Sequence, residues 1–198
     1  MKYPKPIQNL INYFSNLPTV GPKTAERYVF YLLKQTPETL QEFAQYLAEL
    51  KEKITICNSC LAISESNPCS ICVDQKRDKD TLCIVSDSRD MLVIENTNQY
   101  NGLYFILGGE INTIEGVKPE NLNIKKLVNK LKKEKYSEII LALSPTLEGE
   151  TTAMYLNKLL KPLKIKVSRI ARGLPAGSNI EYADETTITN AFKYRNEL

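Results

Sequence analysis

The sequence predicts an α/β protein built from several modules: an N-terminal helical hairpin, a four-cysteine knuckle, a mainly parallel sheet covered by helices, and a C-terminal segment. Three observations carry this prediction. Apolar residues repeat with helical spacing over 7–52, two C-x-x-C pairs lie eight residues apart within 57–72, and beyond Thr81 short apolar or β-branched runs alternate with helical stretches.

In the first segment, 1–53, Ile7, Leu10, Ile11 and Phe14 fall at i, i+3, i+4 and i+7, and Ala25, Tyr28, Val29, Leu32 and Leu33 repeat the pattern after an interruption at 18–22. A third helix is expected over 37–53, with Leu40, Phe43, Ala44, Leu47 and Leu50 on one face. Segment 54–76 is polar and turn-rich, and the charged run at 75–80 marks its end. Strands are expected over 82–85, 102–107, 138–143 and 166–169, with helices near 89–95, 124–135 and 150–160. A sheet wound this way, over 80–175, places its functional loops at the carboxyl ends of strands, here Ser86-Asp87 and the run from Ser144 to Glu150. The remainder, 176–198, reads as a turn followed by a helix or an edge strand.

Composition narrows the chemistry. The chain has 198 residues, 42% of them hydrophobic and 25% charged, which suits a soluble protein with one substantial core. Its net charge of +3 neither requires nor excludes a nucleic-acid partner, and no apolar stretch is long enough to span a membrane. There is no histidine. That removes every Ser-His and Cys-His nucleophile pair and any mixed Cys/His metal site. The first residues lack the apolar core of a signal peptide, so reduced thiols and a cytoplasmic, nucleoid-associated location are expected.

Cys57, Cys60, Cys69 and Cys72 have the spacing that brings four thiolates around one zinc ion. Four sulfur ligands leave no open position for an activated water, so the ion would staple rather than catalyse. Disulfide pairing and a redox C-x-x-C compete with this reading. Cys83, within an apolar run, is expected to be a small buried hydrophobe.

Leu17-Pro18-Thr19-Val20-Gly21-Pro22-Lys23 has the form of a helix-hairpin-helix turn, with Gly21 permitting a close turn and Pro22 starting the second helix. Lys23 and Arg27 share one helix face and would neutralise DNA phosphates without reading bases. The alternative is an ordinary helical turn with surface cations. Six lysines between Lys125 and Lys135 form the densest cationic stretch, either a solvated helix face or a further DNA contact.

The run from Leu141 to Glu150 resembles the Toprim signature of topoisomerases and primases, an acidic strand end that binds magnesium. On that match Ser144 and Thr146 replace two aspartates and Ser86 replaces the glutamate after the first strand, leaving Glu148 and Glu150. Losing three carboxylates removes most of the charge that holds magnesium. Asp87 would compensate only if its side chain faced the same way as Ser86. A magnesium-dependent nuclease or primase using Glu148, Glu150 and Asp87 is the enzymatic alternative, and an adaptor that touches proteins alone is a third.

Taken in order, L-P-x-V-G-P-K-T-A, the cysteine knuckle, N-G-L-Y-F-I-L-G-G, S-P-T-L-E-G-E-T-T-A-M-Y and R-I-A-R-G-L-P-A-G resemble the RecR family of bacterial recombination mediators over essentially the whole chain. The resemblance implies a non-enzymatic protein with a zinc knuckle and a Toprim-type domain. It implies dimers and tetrameric rings, with inter-subunit contacts through 176–198, and binding to single-stranded, gapped or double-stranded DNA through Lys23 and Arg27. It further implies action with RecO, and RecF where present, to load RecA on gapped DNA coated by SSB. Glu148 is the acidic position expected to grip RecO.

Overall fold

Proline opens each of the three helices that precede Lys53: Pro6 in the first turn of α1 (Lys5–Ser15), Pro22 in α2 (Pro22–Leu32) and Pro37 in α3 (Pro37–Glu49). The computed structural model describes residues 3–195; the outer ends of the expected first and last segments, 1–2 and 196–198, lie outside the described residues. The chain divides after Lys53 into two units. In the first, α1 packs on α2 through buried Ile11, Ala25 and Val29, ringed by Ile7, Phe14 and Val20. Thr36 caps α3 by accepting a hydrogen bond from the Thr39 amide at 3.4 Å. The apolar stripe of α3 is left uncovered: Phe43, Leu47 and Leu50 are exposed, and Phe43 joins Phe14, Tyr28, Tyr31 and Leu40 around an open apolar cavity of 340 Å³.

The second unit begins with the cysteine knuckle, a two-residue ladder of β1 (Thr55–Ile56) and β2 (Ile63–Ser64) followed by the single turn α4 (Ser70–Val73). Next come β3 (Thr81–Val85), α5 (Ser88–Asn96), β4 (Leu103–Ile106), α6 (Ile124–Lys133), β5 (Glu138–Ala142), α7 (Leu147–Leu160), β6 (Lys166–Arg169) and α8 (Glu185–Lys193). The four long strands form one sheet, all parallel, in the order β4-β3-β5-β6.

Side chains divide between the two faces with the period of two that a pleated strand imposes. Leu82, Ile84, Phe105, Leu107, Ile139 and Leu141 point to one face, where α6 supplies Leu127 and Leu131 and α7 supplies Leu156 and Leu160. Cys83, Val85, Tyr104, Ile106 and Ala142 point to the other, where Met91 of α5 and the knuckle residues Cys57, Cys60 and Ala62 cover them. The knuckle is thus part of the sheet's core. It also closes an edge: the Ile106 amide of outermost β4 donates to the Cys60 carbonyl at 2.8 Å.

One expected boundary shifts, and two readings that the sequence left open are resolved. Helix α7 starts at Leu147 rather than at 150, because Thr146 caps it by accepting from the Gly149 amide at 3.1 Å. Strand β3 ends at Val85, so Asp87 does not continue the pleat; it caps α5 by accepting from the Arg89 and Asp90 amides. The C-terminal stretch forms helix α8, capped by Asp184. No helix among the described residues is long and apolar enough to cross a membrane.

Candidate functional site

The four cysteine sulfurs lie within 4.8 Å of one another. Cys57 Sγ and Cys72 Sγ are 3.8 Å apart, and Cys60 Sγ and Cys69 Sγ 3.6 Å. A tetrahedron of sulfurs about 2.3 Å from a central zinc has edges of about 3.8 Å, whereas a disulfide requires about 2.05 Å. The cluster therefore fits a metal ion, and all five cysteines of the chain are free thiols. Turns supply the geometry. The Leu61 amide bonds to the Cys57 carbonyl and the Cys57 amide to the Ala62 carbonyl, each at 2.9 Å, and the Asn67–Pro68 peptide bond is cis. The Cys69 amide points at Cys57 Sγ from 3.4 Å.

Without an ion, four crowded sulfurs must share protons. The Cys60 thiol donates toward Cys72, which holds Cys72 down at about 5, and the same sharing, with burial, pushes Cys60 up. Cys83 lies apart in the sheet, where burial pushes its thiol up to about 12, as suits a packed hydrophobe.

In the N-terminal unit, Lys23 and Arg27 stand exposed one turn apart on α2, and among the described residues neither has an ion pair. The sequence reading of Gly21 needs correction. Its backbone is extended, at φ −80°, and the left-handed residue in this turn is Thr19, at φ 66°. An added Cβ at Gly21 would meet nothing within 4 Å. The turn itself does not need glycine there, and its effect is to leave the start of α2 bare.

At the carboxyl end of the sheet, the loops after β3, β4 and β5 surround a polar pocket of 530 Å³. The sequence reading missed its central residue. Glu110, just beyond β4, accepts from Ser86 Oγ at 2.7 Å through Oε1 and from Thr146 Oγ1 at 3.4 Å through Oε2. Gly108 and Gly109, at φ 85° and 142°, turn the chain to put it there. Gly149 lets the start of α7 come close, since a Cβ would overlap the Ser144 carbonyl and lie 3.1 Å from Glu110 Oε1. Two of the hydroxyl substitutions therefore solvate a carboxylate arriving from another strand.

The neighbouring acids are also engaged. Asp87, besides capping α5, binds the Arg89 guanidinium, which holds its carboxyl below the usual range. Glu150 is clamped by Arg169 through two hydrogen bonds, of 3.0 and 2.7 Å. Arg172 Nη2 approaches Glu150 to 2.5 Å, an ion pair by distance without hydrogen-bond alignment, and its buried Nε has no partner among the described residues. Glu148, half-buried on the pocket wall, is in no ion pair among the described residues.

Comparison with known proteins agrees with this layout. The family model described as "RecR, helix-hairpin-helix" matches residues 7–51, "Toprim domain" matches 80–171, and "RecR, C-terminal" matches 173–196. A relative named "Recombination protein RecR" from Staphylococcus aureus strain MRSA252 is 45% identical over 198 residues, the whole of both chains. Another of that name, from Staphylococcus saprophyticus, is 44% identical over the same span.

Proposed function

The chain belongs to the RecR family of recombination proteins, and from that premise we propose that it is a non-enzymatic mediator of recombinational repair: it binds gapped DNA, joins RecO, and RecF where present, and helps place RecA on strands coated by SSB. One observation supports the absence of catalysis above all. Glu110, Asp87 and Glu150 at the sheet's carboxyl end are committed to hydroxyls, helix amides or arginines, and among the described residues no set of carboxylates groups there as a magnesium site would require. Two acids are left unengaged there among the described residues, exposed Glu115 on a loop and half-buried Glu148, and Glu148, held at the start of α7, is the one suited to a basic group on RecO.

Cys57, Cys60, Cys69 and Cys72 hold zinc in this reading, and the ion locks the knuckle against the sheet. Lys23 and Arg27, with the bare start of α2, contact the phosphate backbone. Self-association into dimers and tetrameric rings accounts for the uncovered apolar residues of α3, and for exposed Tyr182 and Phe192 in the C-terminal segment. A ring would multiply two cations per chain into useful affinity. The protein works in the cytoplasm, at the nucleoid.

Incubation with nicked, gapped and primed DNA in Mg²⁺ or Mn²⁺ tests this. No turnover is expected, together with RecA loading that depends on RecO and is lost in the Lys23→Glu/Arg27→Glu variant. Cleavage abolished by Glu148→Gln would overturn the non-enzymatic reading, and DNA affinity unchanged in the double charge reversal would overturn the hairpin assignment.

A further inference from the structure

The lysines of α6 play no part in that reading, yet the fold sorts them. Ile124, Leu127 and Leu131 of this helix are buried against the sheet. With about 100° per residue, Lys125 and Lys132 fall on one flank and Lys126, Lys130 and Lys133 on the other. The second flank lines a groove of 280 Å³ whose opposite wall is the knuckle loop at Asn58 and Ser59.

Lys130 fixes the two walls. Its Nζ lies 3.2 Å from Ser59 Oγ and 3.0 Å from Glu134 Oε1. Glu134, the one carboxylate lining the groove, also accepts from the Tyr136 hydroxyl at 2.5 Å, so its charge is taken up. Lys126 and Lys133 are exposed and, among the described residues, have no ion pair. The side-chain amides of Asn58 and Asn129 line the same groove and have no hydrogen-bond partner among the described residues. The floor contributes Phe105, which is buried, so the groove has no exposed aromatic anchor of the kind a protein partner would use. Seven residues of helix separate Lys126 from Lys133 by about 10.5 Å, the axial length of about three nucleotides in one strand of a duplex.

We propose that this groove is a second DNA contact, in which Lys126 and Lys133 neutralise backbone phosphates and the Asn58 and Asn129 amides donate to phosphate oxygens. Because the contact reads no base edges, it is sequence-independent. It rests on the reading above only in taking DNA as the ligand, and it is separate from Lys23 and Arg27.

The test is the salt dependence of affinity for duplex and single-stranded DNA, measured with the full chain. Lys126→Gln/Lys133→Gln is compared with Lys125→Gln/Lys132→Gln, which removes equal charge from the other flank of the same helix. Zinc content and thermal melting are checked for each. The groove pair is expected to lower the slope of log K against log salt by about 1.8 on duplex and about 1.4 on single strands, as two lost phosphate contacts per engaged chain require. The flank pair should leave it near wild type. Equal losses in both pairs would mean a diffuse field and overturn the proposal. An unchanged slope in the groove pair would overturn it too, and leaves the hairpin reading standing if Lys23→Glu/Arg27→Glu weakens binding. Wild-type protein with no salt-sensitive DNA binding would sink both. Loss of polyglutamate binding in the groove pair with DNA affinity intact would reassign the groove to an acidic protein and overturn the proposal as well.

Discussion

Ser86 Oγ donates a 2.7 Å hydrogen bond to Glu110 Oε1, tying together the loops that leave two adjacent strands of the sheet. A position that holds a metal-binding acid in the Toprim signature here holds a donor to an acid. Hydrogen bonds to ionised, half-buried carboxylates contribute about 1.5–3 kcal/mol. Ser86→Ala should therefore lower stability in urea by about 1.5 kcal/mol, and the same change made in Glu110→Ala should cost little further. A double-mutant cycle with no coupling would contradict this.

Glu148 and Glu150, two residues apart, should respond in opposite ways. Glu150→Ala leaves Arg169 and the largely buried Arg172 without their shared carboxylate, a loss of about 3 kcal/mol visible in thermal melting. Glu148→Ala should melt within about 0.5 kcal/mol of wild type, since it breaks no ion pair, and should instead weaken RecO binding. Calorimetry and a pull-down on the two variants check both halves.

Gly21→Ala separates a structural glycine from a functional one. With ordinary φ and open space around the added Cβ, the gain from a stiffer unfolded chain is offset by the poorer N-cap that alanine makes, and folding should change by less than about 1 kcal/mol. DNA affinity should fall, because the methyl obstructs a phosphate at the start of α2. A variant that binds DNA as well as wild type would show that the hairpin backbone is not a contact.

The Arg77–Glu95 ion pair gives the second unit a signature in acid. Hydrogen bonds from Arg77, and then from Tyr104, hold the Glu95 carboxyl below its ordinary value of 4.5. A group depressed on folding contributes stability that is complete above the unfolded value and disappears as pH falls through the folded one. Glu95→Gln should thus be less stable than wild type at pH 7, and the two should converge as pH drops from 4.5 toward 3. A constant gap in denaturant midpoints across that range would contradict the assignment.

Much of this was legible in the sequence because local rules govern it. Prolines at 22 and 37 mark the helix starts, the unbroken apolar run Leu82-Cys83-Ile84-Val85 marks a strand buried on both faces, and the cysteine spacing marks the cluster. Glu110 was not legible. It matters only because β4 lies beside β3, a consequence of the strand order β4-β3-β5-β6 that no local pattern encodes. Gly-Gly-Glu after a strand was the available signal, and its meaning depends on which loops it meets. The arginine clamp on Glu150 was hidden for the same reason, since Arg169 reaches it from a neighbouring strand. The α3 stripe has correct helical spacing, but periodicity identifies an apolar face without saying what covers it.

The bond from the Ile106 amide to the Cys60 carbonyl has a cost that appears only when metal is scarce. Chelation would free this amide and bare the outer side of β4 as the staple loosens, and such a border recruits the matching border of another copy. Starved of zinc, this protein is expected to clump before it melts, and turbidity after chelation should rise with protein concentration.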